Sequence, residues 1–200
     1  SRDVSNRKDF EAGIKSRLGV SPDVISGDEE AQLSFLGATG DLPADLNGPY
    51  LVVDIGGGST EFVFGNTEAE SAKSVNIGCV RMTERHFKSN PPTKGEIENA
   101  RIDIKAAIET AAREVPLTKA NSIIAVAGTA TTVAAAALDL PAYDRYAIHL
   151  SRIPSQKVHE ISEMFLTMNR DERLALGYMH PGRVDVIAAG SLILSEILNE

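Results

Sequence analysis

Apolar positions along the chain change period several times, and each change marks an element. The run Leu51-Val52-Val53, bounded by turn residues, predicts a buried strand over 51–55. Two more β-type runs follow at 61–65 and 72–77, so the three form a meander whose second turn begins at Gly65-Asn66. Helical spacing appears elsewhere. Phe10, Ile14 and Leu18 predict a helix over 6–18 that Gly19 ends. A short strand is expected at 24–25, then a helix over 29–38 capped by Asp28, with Ala31, Leu33, Phe35 and Leu36 for its packed face. The stretch TGDLPADLNGP (39–49) has turn composition and reads as a connection. A short helix over 79–87 is broken by Ser89-Asn90-Pro91-Pro92. Thr93 and Glu96, three residues apart, fit a capping box that opens a helix to about residue 113. Its stripe is Ile97, Ala100, Ile104, Ile108 and Ala111. A buried strand, SIIAVA, is expected over 122–127, with Gly128-Thr129 turning into an Ala-rich helix over 130–138. A helix over 155–168 carries Val158, Ile161, Phe165 and Met168 on one side. The last elements expected are a strand at 184–187 and a helix at 191–199.

Composition narrows the classes. Two hundred residues with 42% hydrophobic content can bury one good core, or a domain plus a fragment of another. No apolar run is long enough for a membrane span, so no membrane partner is expected. The single cysteine, Cys79, excludes an internal disulfide framework and leans towards a reducing compartment, here the cytoplasm. It reads as a small buried thiol. The four histidines show no zinc-type spacing. A net charge of −8 argues against nucleic acid. It also opposes a polyanionic substrate, so local arginines and bound cations would have to overcome the global field.

The chemistry concentrates at LVVDIGGGSTEFVFG (51–65). Gly56, Gly57 and Gly58 lie in the turn of a hairpin, where backbone N–H groups can close on an anion without a Cβ in the way. Ser59 and Thr60 add hydroxyls, while Asp54 and Glu61 place a carboxylate at each end. Oxygen ligands beside a phosphate cradle suit a hard cation such as Mg²⁺. The alternative is a tight turn with solvated acids at its rim. The stretch is neither a Walker loop nor a dinucleotide fingerprint, since it lacks the Gly-Lys-Ser/Thr ending and a strand follows it. Gly128-Thr129-Ala130-Thr131 leads a strand into a helix N-terminus, where anions are favoured, and equally describes a plain strand-to-helix turn. Glu29 and Glu30, taken alone, read first as acids favoured in a helix's first turn.

DIGGGSTE (54–61) resembles the signature of the exopolyphosphatase and guanosine pentaphosphate phosphohydrolase family, itself similar to the actin, sugar kinase and heat-shock ATPase superfamily. Family-like stretches recur in order at 1–6, ISGDEEAQLSFLGA (25–38), NIGCVRMTE (76–84), AGTATT (127–132) and GRVDVIAAG (182–190). The resemblance implies an α/β, ribonuclease-H-like (actin-like) domain, with a mixed five-stranded sheet flanked by helices, in a chain truncated at its N-terminus. Residues 1–26 would be the remnant of a first actin-like domain and 27–200 the second, carrying the phosphate loops.

The same resemblance implies the roles. Glu30 would orient or deprotonate the attacking water, while Asp54 and Glu61 would hold Mg²⁺, with Mn²⁺ as a substitute. Phosphate would be gripped by Gly56, Gly57, Gly58, Ser59, Thr60, Gly128, Thr129 and Thr131, with Arg2, Arg81 and Arg183 neutralising charge. Asp185 is expected to fix Arg183 or the local turn, and Gly190 to serve close packing or face a nucleotide. The substrate implied is inorganic polyphosphate, with guanosine pentaphosphate as the sibling choice and a non-catalytic sensor of either as the alternative. An actin-like nucleotide kinase or ATPase is a further option, for which no purine pocket is recognisable. Oligomeric state is not legible, and a homodimer stays open.

Overall fold

Strand β1 (Tyr50–Ile55) sits at the centre of the architecture because both its faces are buried. Leu51, Val53 and Ile55 enter one core and Val52 the other. The computed structural model describes residues 7–23 and 26–200; the expected strand at 24–25 and the run 1–6 lie outside the described residues. Strand β2 (Thr60–Gly65) pairs antiparallel with β1, β3 (Ala69–Val75) antiparallel with β2, and β4 (Ser122–Val126) parallel with β1. The sheet therefore runs β3-β2-β1-β4.

The helices, in chain order, are α1 (Arg7–Leu18), α2 (Gly27–Thr39), α3 (Cys79–His86), α4 (Lys94–Ala112), α5 (Ala127–Ala137), α6 (Arg145–Ile148), α7 (Ser155–Thr167), α8 (Arg170–Leu174) and α9 (Ile187–Ile197). The larger core lies between the sheet and α3, α4, α5, α7 and α9, with α9 buried along its whole length. Helix α4 matches the expected pattern: the Thr93–Glu96 capping box is formed, and Ala100, Ile104, Ile108 and Ala111 are buried. Gly19 ends α1 with a left-handed φ of 75° and donates to Lys15 O at 2.9 Å.

The opposite face is covered by α2. Phe35 is fully buried against Val52 and Val63, with Ala31 and Ala38 one helical turn to either side. The Gln32 side-chain amide both donates to Ala69 O (2.8 Å) and accepts from Ala69 N (3.2 Å), which fastens the helix to the start of β3.

Several expectations need correction. The cap of α2 is Ser26, not Asp28: Ser26 Oγ accepts from Glu29 N, and Glu29 Oε2 accepts from Ser26 N at 2.7 Å. Leu33 and Leu36 are 60% and 51% exposed, because the 31-35-38 row alone meets the sheet. The α1 stripe forms, yet Phe10 and Leu18 face solvent. Among the described residues the sheet has four strands, not five. Residues 184–187 turn into α9 instead of forming a strand. A helix apolar on every side and a buried strand give the same short apolar run, so periodicity does not separate them. On its outer side β4 has no strand neighbour among the described residues, and Ile123 there is 41% exposed.

At the β4–α5 junction Ala127 holds φ 68°, a left-handed backbone in a residue with a Cβ. That conformation costs about 1–2 kcal/mol, while glycine adds roughly 0.5–1 kcal/mol of unfolded-state entropy. Ala127→Gly is expected to stabilise the fold by about 0.5–1 kcal/mol, measured as a rise in urea midpoint at unchanged slope. Thr93→Ala removes the α4 cap and is expected to cost about 1 kcal/mol in the same experiment.

Candidate functional site

The β1–β2 register places Asp54 directly opposite Glu61, and the β2–β3 register places Glu61 opposite Ser74. Asp54 and Glu61 project from the α2 face, since Val52 and Val63 on that face are their i±2 neighbours, and Ser74 shares it as the cross-strand partner of Glu61. Ser74 Oγ donates to Glu61 Oε1 at 2.7 Å and fixes that carboxylate. Glu30 stands in the first turn of α2, its N–H on Ser26 O at 3.0 Å. Asp54 is half-buried, and its carboxyl is pushed above the ordinary aspartate range by burial first, then by the charges of Glu61 and Glu30. Asp54 thus feels the charge of two further carboxylates at the open end of the sheet.

Like charges set directly across a strand pair are destabilising in isolation. They fit a cation. Mg²⁺ is held by one or two protein carboxylates together with water and substrate phosphate, in place of an all-protein cage. The Asp54–Glu61 pair offers two such carboxylates, while among the described residues no three His, Cys, Asp or Glu side chains are grouped to hold a metal ion by themselves.

Around the turn, Gly56 N donates to Ser59 O at 3.0 Å, and Gly57 and Gly58 are exposed. Thr60 does not fit the donor role expected of its hydroxyl. It is fully buried and donates to Ile77 O at 2.5 Å, so its side chain holds the hairpin to the segment before α3. Arg81 reaches the loop, with Nε donating to Gly58 O at 2.6 Å.

The second loop lies beside the first. Gly56, Gly57, Cys79, Gly128, Thr129 and Arg183 line a common cavity of about 200 Å³. No side chain caps the N-terminus of α5. Arg183 lies on Gly128: a Cβ there would meet its Nε at 2.6 Å, so a larger residue would push the guanidinium aside. Arg183 Nη1 donates to Thr132 Oγ1 (3.2 Å), and Thr132 and Thr131 donate to Gly128 O (2.8 and 3.3 Å). Thr129 is buried, next to the Cys79 thiol, whose pKa is raised by burial. Gly190 serves close packing, since a Cβ on it would lie 2.6 Å from Thr129 Oγ1. Asp185 pairs with Arg170 of α8 at 2.8 Å instead of fixing Arg183. Sequence reasoning missed Thr132 and Ser74; a threonine four residues after a loop glycine was the available signal for the first. Arg2 lies outside the described residues.

Three of the four histidines have structural partners: His86 Nε2 with Asp103 Oδ2 (2.8 Å), His159 Nδ1 with Ser195 Oγ (2.8 Å), and His180 Nδ1, which accepts from Gly182 N (3.0 Å). Among the described residues no helix is long and apolar enough to cross a membrane.

Comparison with known proteins places this arrangement. A protein named exopolyphosphatase 2 from Mycobacterium tuberculosis is 45% identical over 205 residues, covering the whole of this chain and 64% of the relative. A crystal structure of an exopolyphosphatase-like protein superposes with a TM-score of 0.93 at 45% identity, over 99% of this chain and 64% of the other. A guanosine-5'-triphosphate,3'-diphosphate pyrophosphatase from Vibrio cholerae is 39% identical over 112 residues, 54% of this chain and 22% of the relative. The chain therefore spans about two thirds of the length of the first two, and it carries the actin-like fold of their kind. A family model matches residues 1–200 throughout, and the chain belongs to the Ppx/GppA phosphatase family.

Proposed function

We propose that this chain carries the phosphate-gripping and water-activating groups of a hydrolase that releases terminal phosphate from inorganic polyphosphate. The observation that supports it most is the carboxylate trio at the glycine turn: Asp54 and Glu61 in register, with Glu30 near enough to raise the Asp54 pKa. The 45% identity to a protein named exopolyphosphatase 2 favours polyphosphate as substrate. The shorter match to a guanosine-5'-triphosphate,3'-diphosphate pyrophosphatase favours the sibling reading, the same bond cleavage on guanosine pentaphosphate.

Phosphoanhydride cleavage needs a held phosphoryl group, neutralised charge and an aligned water. Asp54 and Glu61 would hold Mg²⁺, which when bound neutralises charge on the phosphoryl oxygens. Glu30 accepts the proton of the attacking water, or orients it, from the rim of α2. Amides of the glycine loop grip the terminal phosphate, and Arg183 supplies a fixed positive charge beside the second loop. A pure sensor has no use for a water-activating carboxylate at this place.

The cleft would need a second lobe to exclude water, and the longer relatives have length for one. The 200-residue chain alone is expected to turn over slowly. In the full-length protein, Glu30→Gln is expected to lower kcat for phosphate release by about 10²- to 10⁴-fold with little change in KM. Equal rates in the two proteins would remove Glu30 from the chemistry and favour the sensor. Running polyphosphate, guanosine pentaphosphate and ATP side by side separates the substrate readings.

The metal has its own test. A carboxyl whose pKa rises on folding contributes stability while protonated and loses it as pH climbs through the folded value. At neutral pH, without metal, Asp54 therefore weakens the fold, and Asp54→Asn is expected to raise Tm. Millimolar Mg²⁺ is expected to raise the Tm of the parent chain, more so as pH increases, and to leave Asp54→Asn unmoved. An equal Mg²⁺ shift in both proteins would place the cation elsewhere.

A further inference from the structure

Among the described residues the carbonyls of the glycine loop are held by α3. Cys79 N donates to Gly56 O (2.9 Å), and Val80 N and Arg81 N donate to Gly57 O (2.9 and 3.0 Å). Arg81 Nε donates to Gly58 O at 2.6 Å. Three consecutive carbonyls thus turn towards one helix end. In a planar trans peptide the N–H of the following residue points opposite to the carbonyl. The amides of Gly57, Gly58 and Ser59 are therefore turned away from α3. Helix α3 packs with α4 and α9 through Met82, in the larger core, whereas Asp54 and Glu61 project from the opposite face. The three amides face the carboxylates' side of the sheet.

The arrangement is reciprocal. Helix α3 has no side-chain cap, and its first free N–H groups are satisfied by the loop carbonyls instead. Its dipole consequently acts through the peptide units of Gly56 and Gly57, polarising their N–H ends as donors. Gly78 permits the approach: a Cβ on it would lie 2.5 Å from Gly57 C and O and 2.6 Å from Gly58 C, all backbone atoms that cannot swing aside.

We propose that α3 is the orienting device of the anion loop, with Gly78 and Arg81 as positioning residues. Arg81 acts through the Gly58 carbonyl, not as a ligand of the phosphoryl group. This rests on reading the loop as a phosphate seat, and the test separates the two claims.

Glutamine places an N–H donor at the same number of bonds from the backbone as Arg Nε, without the charge. Lysine keeps the charge but has carbon at that position. The chain and its Arg81→Gln, Arg81→Lys and Gly78→Ala variants would be titrated with tripolyphosphate and Mg²⁺, following backbone ¹H–¹⁵N resonances. In the parent chain the Gly57, Gly58 and Ser59 amides are expected to shift saturably. Arg81→Gln is expected to bind within about threefold of the parent, and Arg81→Lys about tenfold more weakly. Gly78→Ala is expected to displace those three amides before any ligand is added; its spectrum also reports whether it folds, and the surface Arg81 variants decide the matter if it does not. Lysine retaining affinity while glutamine loses it would make Arg81 a direct ligand and overturn the proposal. Equal affinities in the two variants, whether kept or lost, would overturn it too, leaving the phosphate seat intact. Absence of any loop shift in the parent would overturn both.

Discussion

The register of β1 on β2 decides what stands at the open end of the sheet. Leu51, Val53 and Ile55 must enter the larger core and Val52 the smaller one, so neither strand can slip by one residue without exposing a full face. Asp54 and Glu61 follow from that constraint. They are the first positions on the α2 face beyond Val52 and Val63, and the pairing sets them directly opposite. Packing energy from the hydrophobic strands thus holds together two carboxylates that repel each other.

Two unfavourable features sit at the same end. The raised Asp54 carboxyl and the left-handed Ala127 both lie where strands end and loops begin. Costs of this kind persist where the surrounding structure over-determines the geometry, and they cluster at functional sites. Here the surroundings include α9, buried along its whole length, whose first residue Ile187 lines the cavity between the two loops.

Local signals with a mechanism were legible in the sequence. The Thr93–Glu96 box, the Gly19 stop and the β1–β2 hairpin each rest on a few neighbouring residues, and each is present as read. What depended on distant partners was not legible. Which row of α2 meets the sheet is decided by Val52 and Val63, so Leu33 and Leu36 were placed inside when they lie outside. The segment at 184–187 has the apolar run of a strand, yet it turns into α9, a helix buried along its whole length. Thr60 and Arg81 both stand in the motif, but only the fold reveals that one hydroxyl serves Ile77 and one guanidinium serves a carbonyl. Asp185, expected to fix Arg183 or the local turn, pairs with Arg170 of α8.

Strand β4 has a final consequence for handling the chain. Its backbone is bonded to β1 on one side, while the other edge carries no strand among the described residues and shows a half-uncovered isoleucine. Such an edge is a template onto which any extended peptide can zip, including the same strand of a neighbouring molecule. Pairing through such an edge, being bimolecular, would grow with the concentration of the chain.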